Sequence, residues 1–255
     1  MKNYCLILLL SMGISCTDEK IETGMPTPSQ SNISERSFEP ANSYSCTNLL
    51  VDASHDGGAW WFPQVGTFNA QADHQGLMLA NYWRNKGYRV DVVPRGVIIT
   101  EELMKNYAVV VRAGGFGSYE SSEIIAYDNA LKRGITLILL SDHSAVDKLG
   151  EEIGVTFSGK TSATSRIIKF SNHAIVNQVS GVKYIAGSFI TNARSNANIL
   201  SLGWSDENSD YPVMALLKHP TSSIFALGDV NCLESTPQPF TDNLLVWMKG
   251  ACNKE

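Results

Sequence analysis

Residues 108–111 read AVVV and residues 135–140 read ITLILL. A strand that is apolar at every position has no face to give to water. It must sit in a sheet covered on both sides, and such sheets are built largely from parallel strands. Between the two runs lies SYESSEIIAYDNALKRG, with carboxylates early, Lys132 and Arg133 late, and Gly134 at the close. That order of charge and the closing glycine mark a helix. Strand, helix and strand in succession make a right-handed crossover between parallel neighbours. The same alternation runs upstream. NLLVDASHD opens on an apolar strand, and Leu77, Leu79, Ala80 and Trp83 fall close to helical spacing ahead of Gly87. YRVDVV reads as a second strand, and Thr100 caps a short helix in EELMKNY. Past residue 150 the pattern changes. SRIIKF, ANILSLGW, PVMALLKH and SSIFALGD read as strands, KHPTSS as a hairpin turn, and TPQPFTDNLLVWMKGAC as a closing helix. The expected fold is α/β: a flavodoxin-like open, mainly parallel sheet with helices on both faces and added antiparallel strands in the second half.

The N-terminus, MKNYCLILLLSMGISC, has Lys2, an apolar core from Leu6 to Leu10, and small Gly13 and Ser15 ahead of Cys16. Residues 1–15 read as a secretory signal peptide, too short to span a bilayer. Cleavage before Cys16 resembles bacterial lipoprotein processing, although Ile14 stands where a small residue is usual. The following CTDEK resembles the export signal of surface lipoproteins in Bacteroidetes-type bacteria. An ordinary signal cut near Ser15 is the alternative. Residues 16–45, rich in Ser, Thr, Pro, Asn and Glu, bury too little apolar surface to offset chain entropy. They read as a lipidated Cys16 and a flexible tether, and residues 46–255 as a single α/β domain. The expected location is the cell envelope, lipid-anchored to the outer membrane, with the cell surface in reach. The anchor is the only membrane contact expected. A net charge of −5 without a basic block argues against nucleic acid as a partner.

Of five cysteines, Cys5 leaves with the signal and Cys16 takes the lipid. The spacing of Cys46, Cys232 and Cys252 matches no zinc motif. An exported chain meets oxidising conditions, so a disulfide is expected. Cys46 precedes the first strand, at the edge opposite the strand exits. If SIFALGD runs parallel to that strand, its helix returns to the same edge and carries Cys252 there. Cys46 and Cys252 then pair, and Cys232 stays free.

Ligands of open parallel sheets bind beyond the carboxyl ends of the strands. Four such ends bring polar or glycine-rich residues to one rim: Asp52, Ser54 and His55 with Trp60 and Trp61 after the first strand, Gly115 and Phe116 after the third, Asp142 and His143 after the fourth, and Asp229 after SIFALG. These are the candidate ligand-binding residues. Flat indole rings suit the apolar faces of sugars, with nearby Asp side chains for the hydroxyls; the alternative is that Trp60 and Trp61 pin their own loop. Trp204 joins them or lies in the core. Asp52, His55, Asp142, His143 and Asp229 are also ligand types for zinc-like ions. No HExxH-type pair supports that, and loop Asp and Ser commonly bond backbone instead. Neither a metal nor a cofactor is assigned.

RAGGFGSYESSEIIAYDNALKRGITLILLSDH resembles the class I glutamine amidotransferase-like superfamily, whose members show a Gly-Gly-x-Gly turn, a helix, an apolar strand and then a nucleophile elbow. VDASHD and FALGDVNC resemble its non-catalytic branches, including the domain at the start of intraflagellar-transport and gliding-associated proteins. SNHAIVNQVSGV is similar to the His-Pro-Ile segment of those branches, with Ala174 in place of proline. The resemblance spans roughly residues 47 to 250 and implies the fold above. Active members place cysteine at the elbow, with His and Glu downstream. Here the elbow is LLSDHS. Ser141 with a nearby base would be a working nucleophile, but no Gly-x-Ser-x-Gly surrounds it, and His173 and His219 lack a carboxylate at fitting spacing. Asp142 reads as a cap of the following helix. The expectation is a non-catalytic ligand-binding or assembly module of an envelope lipoprotein, with glycan as the leading ligand class and an envelope protein as the other partner. The alternative is a hydrolase acting on a glycan or amide through the strand-end Asp, Ser and His residues.

Overall fold

The computed structural model describes residues 45–55, 75–114, 117–142 and 147–252, which belong to the unit Pro40–Glu255. In chain order its strands are β1 (Ser45–Asp52), β2 (Arg89–Val93), β3 (Tyr107–Arg112), β4 (Thr136–Leu140), β5 (Phe157–Ser158), β6 (Arg166–Phe170), β7 (Val182–Lys183), β8 (Phe189–Ile190), β9 (Ile199–Ser205), β10 (Met214–Lys218) and β11 (Ser223–Leu227). The described helices are α1 (Gln75–Asn85), α2 (Glu101–Met104), α3 (Ser121–Arg133), α4 (Lys148–Ile153) and α5 (Phe240–Cys252).

Nine of the described strands form one sheet in the order β2-β1-β3-β4-β11-β10-β9-β6-β7, and β5 pairs with β8 apart from it. The first five in that order are mutually parallel. With β11 as the fifth strand, this is the flavodoxin-like order, whose crevice lies between the ends of β1 and β3. Beyond β11 every pairing turns antiparallel. KHPTSS is the β10–β11 hairpin, Lys218 pairing with Ser223 across it.

The unbroken apolar strands are explained by their period of two. Leu49, Val51, Val109, Val111, Ile138 and Leu140 point into one core, closed by Leu79 and Trp83 of α1 and by Leu244 and Met248 of α5. Leu50, Val110, Leu137 and Leu139 point into a second core, closed by Met104 of α2, Tyr127 and Leu131 of α3, and Leu149 of α4. Two cores, one on each face, require the strands to be apolar throughout. On the first face Phe225 of β11 meets Phe240 and Trp247 of α5, at ring-centroid distances of 6.3 and 6.1 Å.

That contact lays α5 back along the sheet toward the edge where β1 begins. Cys252, in its last turn, is bonded to Cys46 at the start of β1, with a Cα–Cα distance of 5.7 Å. Among the described residues Cys232 is the free cysteine, and it is buried. The bond closes a span of 206 residues, so chain entropy bounds its stabilisation at about 5 kcal/mol. Replacing both Cys46 and Cys252 by Ser should lower the unfolding free energy by no more than that, seen as an earlier denaturant midpoint. Adding reductant to the wild type should reproduce the loss, and should leave the double variant unchanged.

Candidate functional site

Asp52 ends β1, and its register partner on β3 is Arg112. Both side chains are buried. A buried carboxylate requires hydrogen-bond donors, and Asp52 has four. One oxygen accepts from the backbone N–H and hydroxyl of Ser54, at 3.0 and 2.5 Å. The other accepts from the phenols of Tyr119 and Tyr127, both at 2.7 Å. Burial and the Asp52 charge push both phenols well above the ordinary tyrosine range, so they stay protonated and donate. Tyr127 lies on α3 and Tyr119 just before it, so Asp52 ties α3 to the end of β1.

Arg112 is compensated from another direction. Its two terminal nitrogens meet the Asp147 carboxylate at 2.8 and 2.5 Å. Burial works against the guanidinium charge, but Asp147 outweighs it and the pKa is raised. Asp147 also accepts from the Gly150 N–H at 2.8 Å, which makes it the N-cap of α4. The expected cap, Asp142, stands five residues earlier, next to β4, and does not serve α4. Nε of Arg112 is buried without a hydrogen-bond partner among the described residues.

His55 lies three residues beyond the end of β1 and meets a third acid. Its Nε2 lies 3.0 and 3.1 Å from the two oxygens of Glu123, which is fully buried in the first turn of α3. Glu123 also accepts from the N–H groups of Ile99 and Glu120, at 3.0 and 2.9 Å. Burial alone would raise its pKa; the two N–H groups and His55 reverse this and lower it. The imidazole rests on Tyr119, ring centroids 4.0 Å apart. In the sequence Glu123 looks like an ordinary first-turn helix carboxylate, and only the path of the chain brings it 68 residues back to His55.

The sheet separates the rest. Asp229 lies beyond β11, three strand positions from β1, or roughly 14 Å at about 4.8 Å per strand. Asp52 and Asp229 therefore cannot share one ion, and among the described residues no three acid, His or Cys side chains gather as metal ligands would. Trp204, on β9, is five positions from β1. It is not at the first-strand end; Lys169 stands over its ring at 5.1 Å. Around Asp229 is a second, closed cluster. Its oxygens accept from the N–H groups of Ile185 and Asn231 at 2.6 and 2.8 Å. The Asp142 carbonyl accepts from Ser188 Oγ, and the Cys232 thiol donates to the Lys183 carbonyl at 3.1 Å. Burial, with the charge of Asp229, pushes that thiol up, so it stays protonated.

Ser141 is fully buried. Its N–H donates to Leu227 and its carbonyl accepts from Val230, so it prolongs the β4–β11 ladder. The non-glycine residues with positive φ among those described are Gln178, Ala186 and Thr236; Ser141 does not share the strained turn of a nucleophile elbow. His173 and His219 each accept backbone N–H groups of their own turns. Of the other expected site residues, Trp60, Trp61, Gly115, Phe116 and His143 lie outside the described residues, as do Cys16 and the signal and tether segments.

No known protein family and no curated protein matches this sequence. Solved structures do match its fold. The mmIFT52 N-terminal domain is 9% identical with a TM-score of 0.58, over 82% of this chain and 98% of that one. A ThuA-like protein from Parabacteroides merdae is 14% identical with a TM-score of 0.54, over 81% of this chain and 89% of that one. Another from Bacteroides uniformis is 14% identical with a TM-score of 0.51, over 82% and 91%. ThuA belongs to the class I glutamine amidotransferase-like superfamily. The shared feature at these identities is the fold.

Two stability measurements check this description. Asp147→Ala strands the buried Arg112 charge and should cost about 3–5 kcal/mol, whereas replacing the pair together by Arg112→Met and Asp147→Leu should cost much less. Denaturant unfolding of the single and double variants makes the comparison. Asp229 is the second case. Burial is the main influence that pushes its carboxyl up to about 7, against about 3.9 in an unfolded chain. Between those values only the unfolded chain releases the proton, so this group's contribution falls as pH rises from about 4 to 7. The full loss is on the order of 4 kcal/mol and is complete above 7. Glu123 acts with the opposite sign, so the quantity to measure is the difference in pH slope between wild type and Asp229→Asn. The wild-type slope between pH 4 and 7 should be the more negative.

Proposed function

We propose that this domain is a non-catalytic ligand-binding or assembly module of a bacterial envelope lipoprotein, with the β1–β3 end of the sheet as its recognition surface. The observation that carries this reading is the state of the rim groups. Asp52, Arg112 and Glu123 are buried and occupied by protein partners, and Ser141 is sealed into the ladder. His55 keeps 18% of its side chain exposed. Such a rim is a rigid frame with a recognition group at its border, suited to holding a ligand more than to attacking one. Glycan is the leading ligand class, because Trp60 and Trp61 follow His55 by five and six residues and flat rings beside polar groups suit sugars. An envelope protein partner is the other member of this reading. The anchor is a lipid on Cys16, placing the domain at the outer membrane on its tether.

One observation favours a hydrolase instead: an imidazole backed by a buried carboxylate is the usual form of a general base. A glycan array followed by calorimetric titration of the intact chain separates the readings. Binding without turnover is expected, and Trp60→Ala should weaken it about tenfold, roughly 1.4 kcal/mol, with little change in unfolding midpoint. Stoichiometric fluorophosphonate labelling of Ser141, abolished by mutating a single histidine, would overturn the non-catalytic reading. Release of an unlipidated, soluble form from cells fed labelled fatty acid would remove the anchor.

A further inference from the structure

We propose that His55 is the hydrogen-bond acceptor of the rim, its Nδ1 lone pair offered to a neutral, hydroxyl-bearing ligand because Glu123 holds the proton on Nε2. This inference rests on the reading of the rim as a ligand-binding surface and specifies its chemistry.

The assignment follows from which groups can donate. The N–H of Ile99 and the N–H of Glu120 each point at a different oxygen of Glu123. A backbone N–H only donates, so both oxygens are acceptors. Both are also within 3.1 Å of His55 Nε2. A bare ring nitrogen there would set lone pair against lone pair, so Nε2 carries hydrogen. In the neutral imidazole the other nitrogen is then an acceptor. Nδ1 makes no hydrogen bond to the described residues and is not one of the buried, unpartnered polar atoms among them. The ring cannot turn freely, because it lies on Tyr119 at a centroid distance of 4.0 Å and Tyr119 is itself held by Asp52. The result is an acceptor of fixed direction, supported by a carboxylate behind it, as carboxylates orient imidazoles in many sites.

The surrounding charges decide what it accepts from. Glu123 and Asp52 are acids, and Arg112 is already paired with Asp147 through both terminal nitrogens; Arg95, beside the Gly96 whose N–H bonds the Ser54 carbonyl, also has a partner of its own. An anionic ligand would bring its charge up to these acids with no unpaired cation among these groups to compensate, and a carboxylate has no O–H to offer the acceptor. A neutral polyol brings O–H donors. The geometry therefore selects a neutral saccharide over a phosphate or a carboxylate, even though the sequence after β3 is rich in glycine.

The test uses the mature chain with 15N-labelled histidine. Long-range proton–nitrogen correlations, recorded where the ring is neutral, identify which nitrogen of His55 is protonated, and His55→Gln assigns the signals. The expected result is a protonated Nε2 and a bare Nδ1. Maltotetraose, cellotetraose and mannotetraose are then titrated in, with inorganic phosphate for comparison. At least one saccharide should move the Nδ1 resonance, and phosphate should not. His55→Gln keeps an N–H for Glu123 but lacks the acceptor, so it should bind that saccharide at least tenfold more weakly at an unchanged unfolding midpoint. His55→Asn, whose amide oxygen stands near the Nδ1 position, should recover part of the loss. A proton on Nδ1 in the neutral ring, full binding by His55→Gln, or a phosphate-induced shift would each overturn the inference. A correct tautomer with no response to any saccharide would instead count against the glycan reading of the rim.

Discussion

A carboxylate removed from water is tolerated only where donors replace the water, and the end of β1 is organised around that requirement. Asp52 lies within the sheet, where solvent cannot reach it, and takes its donors from Ser54 and from two tyrosines of the α3 region. Those tyrosines fix the start of α3 against β1. Once α3 is fixed, Glu123 in its first turn faces His55, and Tyr119 forms the surface under the imidazole. One buried charge thus sets the position of a helix, a second buried acid and the side chain at the border of the rim.

The register of the parallel strands extends this order across the sheet. Asp52 faces Arg112 on β3, Arg112 faces Leu139 on β4, and Leu140 faces Leu227 on β11. The four strand ends are aligned along one edge, yet an edge is a line and not a pocket. Strands about 4.8 Å apart carry their end groups away from one another, so Asp52 and Asp229 belong to different clusters. The β11 cluster packs tightly. A Cβ on Gly228 would come within 2.1 Å of the Ser188 carbonyl oxygen, and one on Gly187 within 2.5 Å of Asp229. Such approach leaves no room for a ligand between those segments and makes the Asp229 end a structural joint. The β1–β3 end is where the fold's strand order reverses and where a polar side chain still meets solvent.

Much was legible in the sequence because it depends on local pattern. Unbroken apolar strands, helix-ending glycines and charge order within helices are consequences of backbone geometry and burial, and they carry the α/β architecture, the parallel first half and the β10–β11 hairpin. The Cys46–Cys252 bond was legible for a topological reason: parallel strands share an entry edge, and a helix following the last of them must return to it. The absence of a cysteine from LLSDHS was equally plain.

Other features were decided only by tertiary structure. Glu123 and Asp147 both look like first-turn or capping acids of their helices, and each does fill such a role. Their second role, holding His55 and neutralising Arg112, comes from packing between segments 68 and 35 residues apart, which no local pattern encodes. For the same reason Asp142 looked like a cap when Asp147 is the one, since both are acids ahead of one helix and only backbone position distinguishes them. The sequence alone determined which residues could stand at the rim, because strand ends are marked by composition. Among the described residues the tertiary structure decided which of them are spent on one another, because a buried charge is stable only with partners, and partners are found in space and not along the chain.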